Sequence, residues 1–146
     1  MKWNASLLLA GAALMPAPVA LPRNAAADPE PAHVRAPSWV GVWRNSNNTV
    51  HIKAGPCGDA MCATVVWANA QAKAAVAAKG RNIIGMQLLR DFHQVGPAEW
   101  SGTVYVPDLD VSVSGKITMT DRNTLAAVGC GLLGLVCKTR QWSRIS

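Results

Sequence analysis

Residues 111–120 read VSVSGKITMT, and this stretch decides the fold class because apolar and polar side chains alternate along it. Val111, Val113, Ile117 and Met119 share one parity, whereas serine, lysine and threonine occupy the other. Successive side chains of a β-strand point to opposite faces of a sheet, so the alternation predicts a strand with one buried and one wet face. We therefore expect a sheet that covers a core with one side.

Similar segments, separated by turn residues, continue on both sides of this strand. The other predicted strands are residues 40–44, 49–54, 60–67, 85–90, 100–106, 124–129 and 139–145. Residues 69–79 are instead rich in alanine, the best helix former, and Gly80 follows them as a typical helix end. About eight strands and one short helical insertion predict an all-β fold, either an antiparallel barrel or a sandwich. We expect the barrel, because closure removes the edge strands that would otherwise invite aggregation.

Composition and charge limit the classes of protein to consider. The chain has 146 residues, of which 50% are hydrophobic and 15% are charged, with a net charge of +6. The low charge excludes a disordered chain, and the length suits one domain. The basic residues are scattered along the sequence, so we expect no nucleic-acid partner.

The first 27 residues are predicted to be a signal peptide. Lys2 precedes the apolar stretch 7–15, and the small residues 25–27 fit a cleavage site after Ala27. Residues 28–38 contain three prolines and are predicted to be a flexible leader. The remaining residues, 39–146, form the predicted single domain, and the protein is expected to be periplasmic or secreted.

The four cysteines fall into two local pairs. Cys57 lies close to Cys62, and Cys130 lies close to Cys137. Export favours disulfides, and we expect each pair to close a short loop, although four cysteines allow three connectivities. The alternative is a four-thiolate zinc site, which the spacers of four and six residues disfavour.

The two ends of the predicted domain resemble those of the calycin superfamily, which includes the lipocalins. Gly41 and Trp43 form a Gly-x-Trp motif in the first strand, and Arg140, Trp142 and Arg144 share one face of the last. In calycins a Gly-x-Trp near the start packs against an arginine from the end of the barrel. The resemblance implies that Gly41, Trp43, Trp142 and Arg144 close the barrel, where a guanidinium over an indole is worth roughly 0.5–2 kcal/mol.

A longer series of motifs resembles a bacterial exported family known as domain of unknown function 2147. In chain order the motifs are Gly41-Val42-Trp43-Arg44, Pro56-Cys57-Gly58, Val66-Trp67, Gly85-Met86-Gln87-Leu88-Leu89, Trp100-Ser101-Gly102, Tyr105-Val106-Pro107, Ser114-Gly115-Lys116 and Thr139-Arg140-Gln141-Trp142-Ser143-Arg144. The resemblance covers residues 39–146 and implies a calycin-like periplasmic barrel without an assigned activity. Residues 108–110 depart from the glycine-containing turn that many relatives carry.

The residues offer little for catalysis. None of the three histidines lies at a spacing typical of a metal site or a catalytic triad. Asp108 and Asp110 follow a proline, a pattern that favours a turn over paired catalytic carboxylates or calcium ligands. We therefore expect neither an enzyme, nor a cofactor, nor a metal.

Ligand binding is the better hypothesis. Trp67, Trp100 and Tyr105 lie on different predicted strands and could line one cavity, while Arg44 and Arg140 could hold an anionic head group. The predicted function is non-covalent binding of a small apolar or amphipathic molecule. The alternative is a structural or interaction module of the cell envelope with a packed interior and no ligand.

One apolar loop needs an explanation of its own. Residues 129–136 read GCGLLGLV, whereas loops are usually polar. We expect this loop to fold as a lid over the open end of the barrel, and the alternatives are an envelope partner or a membrane surface.

Overall fold

The computed structural model describes residues 38–146, so the predicted signal peptide and all of the predicted leader except Ser38 lie outside the described residues. The elements are β1 (Gly41–Asn45), β2 (Val50–Cys57), β3 (Ala60–Ala68), α1 (Ala70–Ala77), β4 (Gln87–Gly96), β5 (Glu99–Val106), β6 (Val111–Asp121), β7 (Thr124–Gly131), a 3-10 turn (Leu132–Gly134) and β8 (Val136–Arg144). Each strand pairs antiparallel with the next, and β8 pairs with β1. The prediction of an antiparallel barrel of eight strands with one short helix is confirmed.

The two ends of the barrel differ. The base is the end that holds Trp39 and the start of β1, and the mouth is the end that carries α1, the β5–β6 turn and the β7–β8 hairpin tip. Large apolar side chains fill the interior towards the base. The most deeply buried of them are Trp39, Trp43, Ile52, Val65, Phe92, Ile117 and Leu125.

Two inward-facing glycines fit around the ring of Phe92. A Cβ added to Gly102 would lie 2.7 Å from the Phe92 ring and from the Arg90 carbonyl oxygen. A Cβ added to Gly115 would collide with Val104 and would lie 3.2 Å from Phe92. Protein interiors are packed to crystal-like density, and these contacts show that the barrel has no room at this level.

Strand β4 is longer and begins later than predicted. Gly85, at φ +84°, precedes it in a turn in which Met86 accepts a hydrogen bond from Val65 N at 2.9 Å, so the pairing starts at Gln87. Within β4, Asp91 has φ +54° and the register with β5 shifts. Such a bulge breaks the alternation of side chains, and the sequence pattern therefore stops short of Gly96.

Helix α1 follows β3 at the mouth. The side chain of Asn69 accepts a hydrogen bond from Ala72 N at 2.8 Å, which caps the helix N-terminus. Val76 is 1% exposed and joins the core together with Ile83 of the following loop. Among residues 38–146, no helix combines the length and the apolar character needed to cross a bilayer.

Both local disulfides are present. Cys57 and Cys62 join β2 to β3, and Cys130 and Cys137 join β7 to β8. No cysteine is left free, since all four lie in the described part of the chain. The prediction of two local disulfides is confirmed, and this pairing leaves none of the four thiolates that the zinc alternative needs.

Candidate functional site

Trp43 lies at the centre of the base. Its side chain is 0% exposed, and its Nε1 donates a hydrogen bond of 2.7 Å to the carbonyl oxygen of Trp39. The guanidinium of Arg144 covers the indole at 4.2 Å from the ring centroid. Since Trp43 and Arg144 are also Cα partners, this stack spans the seam between β1 and β8.

The guanidinium of Arg144 also ties two backbone segments to β8. Its Nε donates to Arg122 O at 2.8 Å, its Nη1 to Val40 O at 2.5 Å and its Nη2 to Ser38 O at 3.0 Å. These oxygens belong to the β6–β7 turn and to the segment before β1. One side chain therefore holds the segment before β1 and the β6–β7 turn against β8.

Gly41 is required by this arrangement. Its φ is +138°, a region that residues with a Cβ rarely adopt. A Cβ there would lie 2.5 Å from Arg144 Nη1 and would also collide with the Ser146 carbonyl oxygen. The glycine of the Gly-x-Trp motif thus leaves space for the arginine that covers the tryptophan.

Trp39 is a base residue that the sequence pattern did not reveal. It is 1% exposed and packs edge-on against Phe92 and Trp100, with centroid distances of 5.7 and 6.4 Å. Trp100, which we expected in a ligand cavity, is 5% exposed within this aromatic cluster. That expectation is corrected, because the ring belongs to the packed base.

Arg44 and Trp67 lie on the outer wall, so neither lines the interior. Arg44 alternates with the inward-facing Trp43 and is exposed. Trp67 is 40% exposed and stacks on His51, with the ring centroids 4.4 Å apart. A register shift between β2 and β3 next to His51 turns Trp67 outward, although simple alternation from the buried Val65 predicts an inward position.

Tyr105 also faces outward, yet it is only 8% exposed. Arg90 lies over its ring at 4.9 Å, and its hydroxyl donates to Asp110 Oδ1 at 2.8 Å. Arg81 contacts the hydroxyl and forms two hydrogen bonds to the Asp110 carboxylate, at 2.7 and 2.9 Å. Tyr105 therefore connects the loop after α1 to the β5–β6 turn and is not a lining residue of a cavity.

Replacing Tyr105 with phenylalanine is expected to lower the free energy of unfolding by about 1 kcal/mol. The aromatic ring stays in contact with Arg90, but the hydroxyl and its hydrogen bond to Asp110 are removed. The Asp110 carboxylate stays paired with Arg81. Urea denaturation measures the change, with Ser112→Ala on the same outer face as the control. An unchanged midpoint for Tyr105→Phe would contradict the bridging role.

On one side of the mouth, the inner wall of the barrel is apolar and carries few side chains. Four valines of β5 and β6 occupy inward positions in two facing pairs: Val104 with Val113, and Val106 with Val111. Beside them, the inner face of β7 presents Gly129 and Gly131, which carry no side chain. The nearest atoms to an added Cβ at these glycines are Val113 methyls, at 3.3 and 3.6 Å.

Two cations lie on the inner face of β8, next to these glycines. Lys138 is the Cα partner of Gly129, Arg140 is the partner of the buried Ala127, and both side chains are exposed. Trp142 follows on the same face and is half-buried against the core. Residues 122–146 contain no Asp or Glu. This side of the mouth therefore combines apolar walls, a tryptophan floor and positive charge.

A separate groove of about 330 Å³ lies on the outer wall of β2 and β3. It is open to solvent, and Lys53, Gly55, Thr64, Val66 and Gln87 are among its lining residues. Lys53, Thr64 and Val66 alternate with the inward-facing Ile52, Ala63 and Val65. The groove is therefore distinct from the barrel interior.

The apolar loop does not form a lid. Pairing of β7 with β8 continues to Gly131 and Val136, so the turn contains only residues 132–135. Leu132, Leu133 and Leu135 are 74%, 105% and 86% exposed, and we call these three side chains the leucine tip. The expectation of a lid is wrong, because the two paired strands carry the leucine tip out into solvent.

Histidines and acidic residues form no metal site in the part of the chain that the structure describes. His51 stacks on Trp67 and its Nε2 lies 2.7 Å from Asn48 Oδ1, while His93 is exposed on β4. No three His, Cys, Asp or Glu side chains of residues 38–146 are grouped to hold a metal ion.

Comparison with known proteins gives one fold and one family. A solved structure described as protein HP1028 from the human pathogen Helicobacter pylori, a member of the lipocalin family, matches with a TM-score of 0.59 and 15% sequence identity. The match covers 75% of this chain and 84% of that chain. No curated protein shows significant similarity. The family model "Uncharacterized protein conserved in bacteria (DUF2147)" matches residues 41–144, well over half of the sequence, and the chain therefore belongs to this family.

Proposed function

We propose that the mouth of the barrel binds a small amphipathic molecule with an anionic group. The observation that carries the proposal is the placement of Lys138 and Arg140 on inward positions of β8, beside Gly129 of β7, which separates them from the inward-facing valines of β5 and β6. Removing a cation from water raises the free energy of the protein unless an anion pairs with it, and an otherwise apolar barrel interior supplies no such anion. An amphipathic anion can pair with the cations through its charged group and pack its apolar part on the valines.

The binding is non-covalent and uses two kinds of contact. The apolar part of the ligand packs on Val104 and Val113 and reaches Trp142, and each buried methylene contributes about 0.8 kcal/mol. Arg140 donates charge-assisted hydrogen bonds to the anionic group, and its planar guanidinium suits a carboxylate or phosphate. The packing around Phe92 limits the depth of the site, which favours a short chain over a long one.

Two further observations support this reading. Small barrels with the lipocalin architecture have an interior that can hold one small ligand. The two disulfides and the bacterial family are consistent with an exported protein, which supports the proposal that it acts in the periplasm or outside the cell.

The proposal is tested by titrating tryptophan fluorescence with dodecanoate below its micelle concentration. We expect saturable binding that weakens about tenfold in Arg140→Gln, because a hydrogen bond to a charged group contributes about 1.5–3 kcal/mol. Arg44→Gln removes the same charge from the outer wall and is expected to bind like the unaltered protein. Dodecanol, which lacks the charge, should not distinguish the two variants.

Equal dodecanoate affinities for Arg140→Gln and Arg44→Gln would overturn the proposed site. A flat titration would instead favour the second candidate, an interaction module of the cell envelope without a ligand. That candidate has support of its own, since Trp43, Phe92 and Ile117 fill the interior near the base.

A further inference from the structure

We infer that the leucine tip inserts into the interfacial region of an anionic lipid bilayer, which brings the mouth of the barrel to the membrane surface. The inference goes beyond ligand binding in the mouth and does not depend on it. Leu133 is 105% exposed, more than either neighbouring leucine, so it is the outermost side chain of the tip. Soluble proteins seldom present several fully exposed leucines together without a binding role.

The turn itself does not explain these residues. Leu132 and Leu133 have φ values of +48° and +56°, in the left-handed region that favours glycine and asparagine. A polar turn residue would therefore form this hairpin more easily than leucine does. Leu132 and Leu133 add apolar surface at positions where the backbone disfavours leucine, which indicates that the surface itself is used.

The hairpin holds the tip in a fixed position. Cys130 and Cys137 link the two strands one residue pair behind the turn, with a Cα–Cα distance of 4.0 Å. Within the turn, Leu135 N donates to Leu132 O at 3.1 Å. Because the backbone is already ordered, insertion costs little conformational entropy, and the apolar side chains enter as a rigid wedge.

Charge favours an anionic bilayer over other partners. Lys138 is the first charged residue after the tip and is exposed, and no acidic residue occurs between 122 and 146. Basic residues beside an inserted apolar segment are drawn to anionic lipid headgroups. A convex tip of three side chains also needs no complementary surface in a bilayer, whereas stable protein interfaces bury about 800 Å² per partner.

The test is sedimentation of the purified chain with vesicles of phosphatidylethanolamine and phosphatidylglycerol. We expect binding that falls about tenfold in Leu133→Glu, that weakens with added salt, and that is weaker on phosphatidylcholine vesicles. Val95→Glu is the matched control, because Val95 is 60% exposed on β4 near the base. This control introduces the same charge away from the tip and is expected to bind like the unaltered chain.

A second measurement reports the depth of the tip. Leu133→Trp places a fluorophore at the outermost position, and we expect brominated lipids in the same vesicles to quench it more strongly than they quench the unaltered protein. Equal vesicle binding by Leu133→Glu and Val95→Glu would overturn the inference. So would a concentration-dependent dimer, seen by light scattering and abolished in Leu133→Glu, because the tip would then contact a second copy of this chain.

Discussion

Replacing Trp43 with alanine is expected to lower the free energy of unfolding by about 3–5 kcal/mol. The side chain is 0% exposed, so its removal leaves a cavity in the packed base. The change also deletes the stack with Arg144 and the hydrogen bond to Trp39 O. Since small domains are stable by about 5–15 kcal/mol, the loss is a large part of the total. Guanidinium denaturation of the disulfide-intact chain, followed by circular dichroism, measures it.

Trp67→Ala is the control for this prediction. Trp67 is 40% exposed on the outer wall, and its stacking partner His51 stays in place when the indole is removed. We expect a loss below about 1 kcal/mol, as is usual for surface positions. The loss of unfolding free energy for Trp43→Phe should lie between those of Trp43→Ala and Trp67→Ala, because phenylalanine keeps part of the side-chain volume but lacks the Nε1 donor. A loss for Trp43→Ala no larger than that for Trp67→Ala would disprove the central role of Trp43 in the base.

The alternation of residues 111–120 predicted β6 well because a half-buried strand shows its two faces directly in the sequence. Its odd-numbered members point inward and pair with inward residues of β5 and β7. Barrel closure, unlike strand β6, could not be predicted from alternation. No periodicity connects Trp43 with Arg144, which lie about a hundred residues apart, and their contact could be anticipated only from the resemblance to calycins.

The incorrect cavity residues show where alternation fails. Trp67 faces outward because a register shift lies between β2 and β3, and β4 continues past Asp91 through another. Bulges depend on how two strands pair, and a single strand's sequence does not report its partner. Alternation therefore predicts a face correctly only as far as the next bulge.

Other residues could not be placed because distant segments bury them. Trp39 precedes β1 and is covered only when β4 and β5 bring Phe92 and Trp100 over it. Tyr105 lies on an outer face and is buried by Arg81, 24 residues away in a loop. In contrast, the spacing of Lys138 and Arg140 is enough to assign them to one face of a strand. That Gly129 lies beside Lys138 could be known only from the register of β7 and β8.

Replacing Arg144 with lysine is expected to destabilise the protein by about 2–4 kcal/mol, although the charge is retained. The guanidinium donates through three nitrogens to carbonyl oxygens on two segments of chain and lies over the Trp43 ring. A lysine ammonium is a compact point charge that cannot reach all three oxygens or stack on the indole. The carbonyl oxygens that lose the guanidinium then have only solvent as a donor, and the contacts that tie their segments to β8 are lost.

Arg140→Lys is the matched control, since Arg140 lies on the same face of β8 but at the exposed mouth, and we expect a change within about 0.5 kcal/mol. A double-mutant cycle with Trp43→Leu isolates the stacking energy, for which we expect a coupling of about 0.5–2 kcal/mol. Equal stabilities for Arg144→Lys and Arg140→Lys would show that hydrogen bonding between the strands alone closes the barrel. The geometry of the base predicts the opposite, because the oxygens of Ser38, Val40 and Arg122 converge on Arg144 from the two segments that the strand ladder leaves outside.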